Sequence, residues 1–183
     1  MTIRFEREGA IGYLLIDRAE RRNAVTLAMW QAIPKLLDEA DAQDGLRVMV
    51  VKAADGGAFS VGADIREMLA NKGDAEWLAA NQAAISETQH RLARCPIPTV
   101  AFIEGDCIGG GCAIALACDV RVGTAAARLG ITPAKLGLVY PFHDLKLLND
   151  LVGAGQAKRL LFSGDLLDAE EAMRIGLVEL LAD

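Results

Sequence analysis

The sequence predicts an α/β fold, and three observations carry that prediction. Short apolar runs of strand length alternate with longer segments whose apolar residues recur every three or four positions. Of the 183 residues, 52% are hydrophobic, which suits a single domain with a sizeable core. Third, the apolar run Thr99–Ile103 leads through Gly105, Gly109, Gly110 and Gly111 into a helix of small residues. Adjacent glycines leave bare backbone where another group must come close. The free N–H groups of a helix start favour negative charge there. The stretch is therefore a loop that holds a negative oxygen, or else a tight turn packed against a neighbour.

Taken in order, residues 3–8 and 10–17 form a hairpin around Glu8 and Gly9, with Tyr13 to Ile16 as a buried strand. Residues 18–23 are a polar loop with three arginines. Thr26 is an N-cap for a helix over residues 27–42, whose apolar positions Met29, Ile33, Leu36, Leu37 and Ala40 follow the helical period. Pro34 should kink that helix or shorten its first half. Residues 48–51 are a wholly apolar strand, as in a sheet covered on both faces. Residues 54–57 are a turn, residues 59–65 a second glycine-containing loop, and Asp64 caps a short helix to Leu69. Residues 74–94 form a long helix with Trp77, Leu78, Ile85 and Leu92 as core contacts, ended by Pro96 and Pro98.

After the central strand and glycine loop, residues 111–117 form a helix apolar nearly all round, hence buried. Residues 119–122 are a strand, and Thr132-Pro133 starts a helix. Residues 143–151, 154–162 and 168–174 are three more helices, separated at residues 152–155 and 163–164. Residues 177–180 are a last strand or turn.

The formal net charge of −6 argues against nucleic acid or an anionic membrane as partner. Cys95, Cys107, Cys112 and Cys118 form no Cys-x-x-Cys pair and read as buried free thiols of a reducing compartment. With two histidines far apart, His90 and His143, no zinc or other metal site is expected. The first residues, MTIRFEREG, carry no apolar signal segment, and no apolar run reaches membrane-spanning length, so a cytoplasmic protein is expected.

Six ordered stretches carry a resemblance. They are Arg22-Asn23-Ala24, the run from Ala58 to Met68, the run from Pro98 to Gly105, the run from Gly109 to Asp119, Ala134-Lys-Leu-Gly137, and the run from Leu161 to Val178. Together they resemble the crotonase superfamily, that is, the enoyl-CoA hydratase/isomerase family, over nearly the whole chain. The resemblance implies a crotonase-like α/β fold (ClpP/crotonase), a spiral of ββα units with two near-perpendicular sheets surrounded by helices. It implies an acyl-CoA substrate, with coenzyme A as its carrier part and no permanently bound cofactor. By position, the amides of Ala63 and Gly110 would be the two donors that grip the thioester oxygen. Arg22, Ala24, Val61, Ala63, Asp64, Ile65, Arg66, Gly109 and Gly110 would bind substrate or coenzyme A, with Arg22 and Arg66 at the phosphates. A homo-oligomer, trimer or hexamer, is implied as well.

The sequence departs from the family at the two carboxylates that position and move a water proton. Their places are Ala113 and Pro133, and neither residue can transfer a proton. The segment from Ile131 to Tyr140 resembles the methylmalonyl-CoA decarboxylase branch, though that branch keeps a glutamate where Ala113 stands. Loss of CO₂ itself makes the enolate and needs no base to start it. Tyr140 would hydrogen-bond the carboxylate, or only shape the pocket. His143 would donate a proton if its helix start faces the acyl group; the favoured reading has Asp144 as an N-terminal helix charge and His143 on the surface. His90 is read as a solvated helix residue, and Glu67, Glu87, Glu104 and Asp106 as replacement acids. Asp119 is read as a partner for backbone donors. Family members continue past the Gly-Leu-Val stretch with further helices, whereas this chain stops at Asp183, so a single core domain over residues 1–183 is expected, with a shortened helical end. A decarboxylase-like lyase is the sharper expectation. A hydratase or isomerase with a non-standard acid, and a non-catalytic acyl-CoA-binding relative, are the alternatives.

Overall fold

The computed structural model describes residues 2–182. A hairpin of β1 (Ile3–Glu8) and β2 (Ile11–Ile16) opens the chain, turning at Gly9 with φ +59°. Then come α1 (Leu27–Asp41), β3 (Val48–Ala53), α2 (Ile65–Ala70), α3 (Ala75–Leu92) and β4 (Thr99–Ile103). β5 (Asp106–Ile108), α4 (Gly110–Ala117), β6 (Val120–Thr124) and β7 (Arg128–Gly130) follow. α5 (Phe142–Ser163), β8 (Leu166–Asp168), α6 (Ala169–Arg174) and β9 (Leu180–Ala182) complete it. The larger sheet has the order β1-β2-β3-β4-β6-β9, and only the β1–β2 pairing is antiparallel. The smaller sheet has the order β5-β7-β8. The α/β class and the two-sheet architecture agree with expectation.

The smaller sheet is where the sequence reading falls short. Its strands are three residues each, too short to display a period of two. The glycine loop is accordingly split: β5 intervenes between Gly105 and Gly109. Thr132-Pro133 starts only a single 3-10 turn, Pro133–Leu136, closed by Gly137 in the left-handed region at φ +68°. Residues 142–163 are two helices that meet at a kink at Gly153, φ +75°, inside the expected separator. β3 is buried on alternate residues only, with Met49, Val51 and Ala53 inside and Val48, Val50 and Lys52 half-buried, so it is not fully covered on both faces.

α4 sits at the centre, with seven of its eight residues buried. It was expected to be buried because it has no polar face, and the small side chains let its neighbours approach. Asp119, just past it, accepts from the Thr99 N–H at 2.8 Å and the Thr99 hydroxyl at 2.9 Å, as expected of a residue that satisfies backbone donors.

Pro34 does not shorten α1, which runs through it. The proline has no N–H to give to the Trp30 carbonyl one turn back. Thr88 of α3 takes that place, its hydroxyl donating to the Trp30 oxygen at 2.8 Å. The buried face of α3 is therefore partly polar: Asn81, Ala84, Thr88, Gln89 and Leu92. Leu78, an expected core contact, is 39% exposed.

Candidate active site

The site is built on two loops that touch backbone to backbone. In the first, Arg22 and Asn23 both adopt the left-handed region, at φ +51° and +57°. Asn23 is buried and makes that turn hold. Its side-chain oxygen accepts from the Arg18 N–H at 2.7 Å, and its amide donates to the Ala58 carbonyl at 2.7 Å. The Ser60 hydroxyl donates to the Asn23 carbonyl at 2.8 Å and accepts from the Gly62 N–H at 3.1 Å. Val25 and Asp64 complete the clamp, through Val25 N–H to Gly62 O at 2.8 Å and Asp64 N–H to Val25 O at 3.0 Å. The segment from Val61 to Ala63 is thus fixed by groups around it.

The second loop, Gly109 to Gly111, lies against that segment. A Cβ on Gly111 would stand 2.2 Å from the Ser60 carbonyl oxygen, and one on Gly62 would stand 2.7 Å from the Gly110 nitrogen. Gly62 also needs φ +88°, which a side chain would strain. The close approach brings the Ala63 nitrogen within 3.3 Å of where a Gly110 Cβ would be. Among the described residues, neither the Ala63 N–H nor the Gly110 N–H has an acceptor within the protein. Ala63 and Gly110 both line a cavity of about 230 Å³.

That cavity is walled largely by apolar side chains, with Ala113 and Pro133 both at its surface. The places of the two expected carboxylates therefore do face the cavity, and both are occupied by inert side chains. Tyr140 and Gly109 line it as well, and the buried Tyr140 hydroxyl donates to the Gly109 carbonyl at 3.4 Å. Burial pushes the Tyr140 phenol well above its ordinary range, with Cys112 and Asp144 adding to the effect, so it stays protonated.

Asp144 stands in the first turn of α5, as expected of an N-terminal helix charge, but it is 1% exposed and lines the cavity. Pro141 enters α5 without a side-chain cap, and the first turn packs inward with its acid. Burial raises the Asp144 carboxyl above its ordinary range, against the lowering effect of His143 and His90. His143 is half-buried. Its Nδ1 lies 3.4 Å from Asp144 Oδ1, and its ring packs on that of His90, 4.2 Å between centroids. His90 is half-buried, and its Nδ1 meets the Ser86 carbonyl oxygen at 2.7 Å. Asn81 on α3 also lines the cavity, a residue for which the sequence carried no signal beyond a polar break in a helix.

The remaining acids are occupied elsewhere. Glu67 accepts from the Leu27 N–H at 2.9 Å, Glu104 pairs with Lys52 at 3.2 Å, and Glu87 lies 3.9 Å from Arg91. Asp106 is gripped by Arg128 through two hydrogen bonds, at 2.7 and 3.0 Å, and by Arg22. Burial raises the Asp106 carboxyl, but Arg128 and Arg22 together hold it below the ordinary carboxylate range. None of the four lines the cavity.

A shallow groove joins the cavity, sharing Val61, Ala63 and Ile65 with it. Arg22, Ala24, Asp64 and Arg66 lie along it, so the structure gathers the expected carrier-binding residues in one place. Two of them have other duties. The Asp64 carboxylate caps α2, accepting from Arg66 N–H at 2.9 Å and Glu67 N–H at 3.1 Å, and pairs with Arg18 at 2.7 Å. Arg22 is tied to Asp106. Arg66 is exposed and has no ion-pair partner among the described residues. Among those residues no helix is long and apolar enough to cross a membrane.

Residues 6–182 match the family model described as enoyl-CoA hydratase/isomerase. A solved structure assigned to that family, from Hyphomonas neptunium, superposes with a TM-score of 0.96 at 37% identity, covering 100% of this chain and 70% of the other. A protein assigned as an enoyl-CoA hydratase in Thermus thermophilus is 36% identical over 177 residues, 96% of this chain and 69% of its own length. The mitochondrial methylglutaconyl-CoA hydratase of Mus musculus is 31% identical over 173 residues. This chain spans 94% of itself in that match but about half, 54%, of the mouse enzyme. The chain belongs to the enoyl-CoA hydratase/isomerase family.

Proposed function

We propose that this family member binds an acyl-CoA thioester and stabilises its enolate with the N–H groups of Ala63 and Gly110. One observation carries the reading: two N–H groups without protein acceptors, fixed close together at the wall of an apolar cavity. A thioester oxygen gains negative charge as the enolate forms. Donors already in place need no reorganisation, and each is typically worth about 3 kcal/mol. The glycines follow from the same chemistry, since side chains at 62, 110 or 111 would push the loops apart. Coenzyme A is the carrier part of the substrate, laid along the groove with Arg66 free to meet a phosphate. Cofactor chemistry plays no part in the proposal.

Proton transfer at the acyl chain is the reaction this cavity favours, as hydration or as movement of a double bond. Decarboxylation is the second reading. It is favoured by Tyr140 at the cavity wall and by the inert residues at Ala113 and Pro133. Against it stands Asp144, whose carboxylate would repel a second one in an apolar cavity. A homo-oligomer belongs to the same proposal, with the exposed Val139, Phe142 and Phe162 as apolar surface to be covered.

The test is a panel of acyl-CoA thioesters, with binding followed by calorimetry and products by mass spectrometry. Binding with gain of water or isomerisation is the expected result, and Gly110→Pro should then lower turnover by about 100-fold or more. Loss of carbon dioxide would select the second reading. Binding without any turnover would leave a non-catalytic relative. If no thioester binds, the proposal fails.

A further inference from the structure

We infer that Asp144 is the acid–base residue of this site, and that His143, backed by His90, positions it and connects it to solvent. The inference rests on the enolate-stabilising reading above and deepens it. Among the described residues that line the cavity, Asp144 is the only carboxylate. The two places where the family's acids are expected hold Ala113 and Pro133, and the Tyr140 phenol keeps its proton, so Asp144 is the wall's one carboxylate for taking a proton up. Asp144 is 1% exposed, and an unpartnered charge in that position would be costly. What it has is one long contact, 3.4 Å to His143 Nδ1.

The histidines are arranged to serve it. A carbonyl oxygen can only accept, so the Ser86 contact at 2.7 Å fixes a proton on His90 Nδ1. His90 is thereby held in place on α3, with its ring against that of His143. His143 is in turn held against Asp144. The titratable groups that face Asp144 are His143 from its own helix, His90 from α3 and Tyr140 from the segment before α5. Cys112 of α4 and Cys107 of β5 lie behind Tyr140.

A single carboxylate suits one reaction in particular. Asp144 takes a proton from a carbon of an unsaturated acyl chain, and the C–H electron pair moves into the conjugated thioester. The charge settles on the oxygen held by Ala63 and Gly110. The proton on Asp144 then returns to a different carbon, and the double bond has moved. No atom is gained or lost, and no water is needed. The substrate class is a β,γ- or α,β-unsaturated acyl-CoA, and the reaction is double-bond migration.

The experiment uses the full chain with 3-butenoyl-CoA in D₂O. Binding is measured by calorimetry, and conversion and deuterium uptake by NMR. Wild type should bind, convert the thioester and place deuterium on carbon. Asp144→Asn should bind it within about threefold and convert it at least about 100-fold more slowly. Asp144→Ala should recover part of the rate with added formate. His143→Gln should lower kcat and shift the pH profile while leaving KM unchanged, which a merely structural histidine would not do. Asp144→Asn should also raise Tm at pH 8 and lose that advantage on acidification. The sign follows from linkage: a carboxyl whose folded pKa is raised contributes stability below its unfolded pKa and loses it as pH rises through the folded one. Undiminished conversion by Asp144→Asn, or wild type that binds but neither converts nor exchanges, overturns the inference. Wild type that binds no acyl-CoA overturns the enolate reading beneath it.

Discussion

The two walls of the cavity are made differently. One is backbone: the segment from Ser60 to Ala63 pressed against Gly109 to Gly111, with no space for a Cβ at the contact. The other is side chains: Tyr140 and Asp144 at the start of α5, with Asn81 from α3. The first wall offers N–H groups that every residue but proline carries, and its geometry depends on what is absent. The second depends on which residue stands at each place. In the proposed reading, stabilising a negative oxygen belongs to the first wall and moving a proton to the second. On that reading the acid can change its address while the grip on oxygen stays where it is.

Breaking the backbone wall should have the largest effect. Gly111→Val would drive a side chain into the Ser60 carbonyl, and we expect it to cost about 4 kcal/mol or more, or to give no soluble protein, in urea unfolding. A normal midpoint would show that the loops can part. Next comes the support of the second wall. Thr88→Val leaves the Trp30 carbonyl without a donor and should cost about 2 kcal/mol, read as a lowered urea midpoint at constant slope.

Asp106→Asn sharpens the comparison from beneath the first wall, where Asp106 joins the Arg22 loop to β5. Its arginine partners are more than half exposed, so the loss should be about 1 kcal/mol at neutral pH. Because the folded carboxyl is held low, wild type should lose this contribution as pH falls through the folded pKa, and the two proteins should converge in acid. The smallest effect is expected at Arg66→Ala. It should weaken binding of an acyl-CoA roughly two- to fivefold and leave an acyl-pantetheine unchanged. An equal loss for both compounds would place the phosphates elsewhere.

The backbone wall was legible in the sequence because steric demand leaves a mark: glycines occur where nothing else fits. The same holds for Thr26 and Asp64, which cap their helices as N-cap grammar requires. The small sheet was not legible, since three residues do not make a pattern. Asp144 is the first-turn helix acid that the sequence suggests, but its burial was not legible. An acid in the first turn of a helix satisfies a local rule by pointing to water, and only the packing of α5 against α3 and α4 shows that it points inward. Leu78 is the reverse case, an apolar residue at helical spacing that faces out while Asn81 and Thr88 face in. Local periodicity reports where a face lies when the face is apolar, and α3 is fastened by hydrogen bonds as well.

The Thr88–Trp30 hydrogen bond acts as an index pin between two helices. Apolar side chains would let α3 slide along α1 and settle again one turn away, a step of about 5.4 Å. The bare Trp30 carbonyl accepts the Thr88 hydroxyl at one setting only. His90, two residues further along α3, inherits that setting, and with it the 4.2 Å between its ring and that of His143. A proline in the first helix thus sets the alignment of a histidine pair contributed by two others.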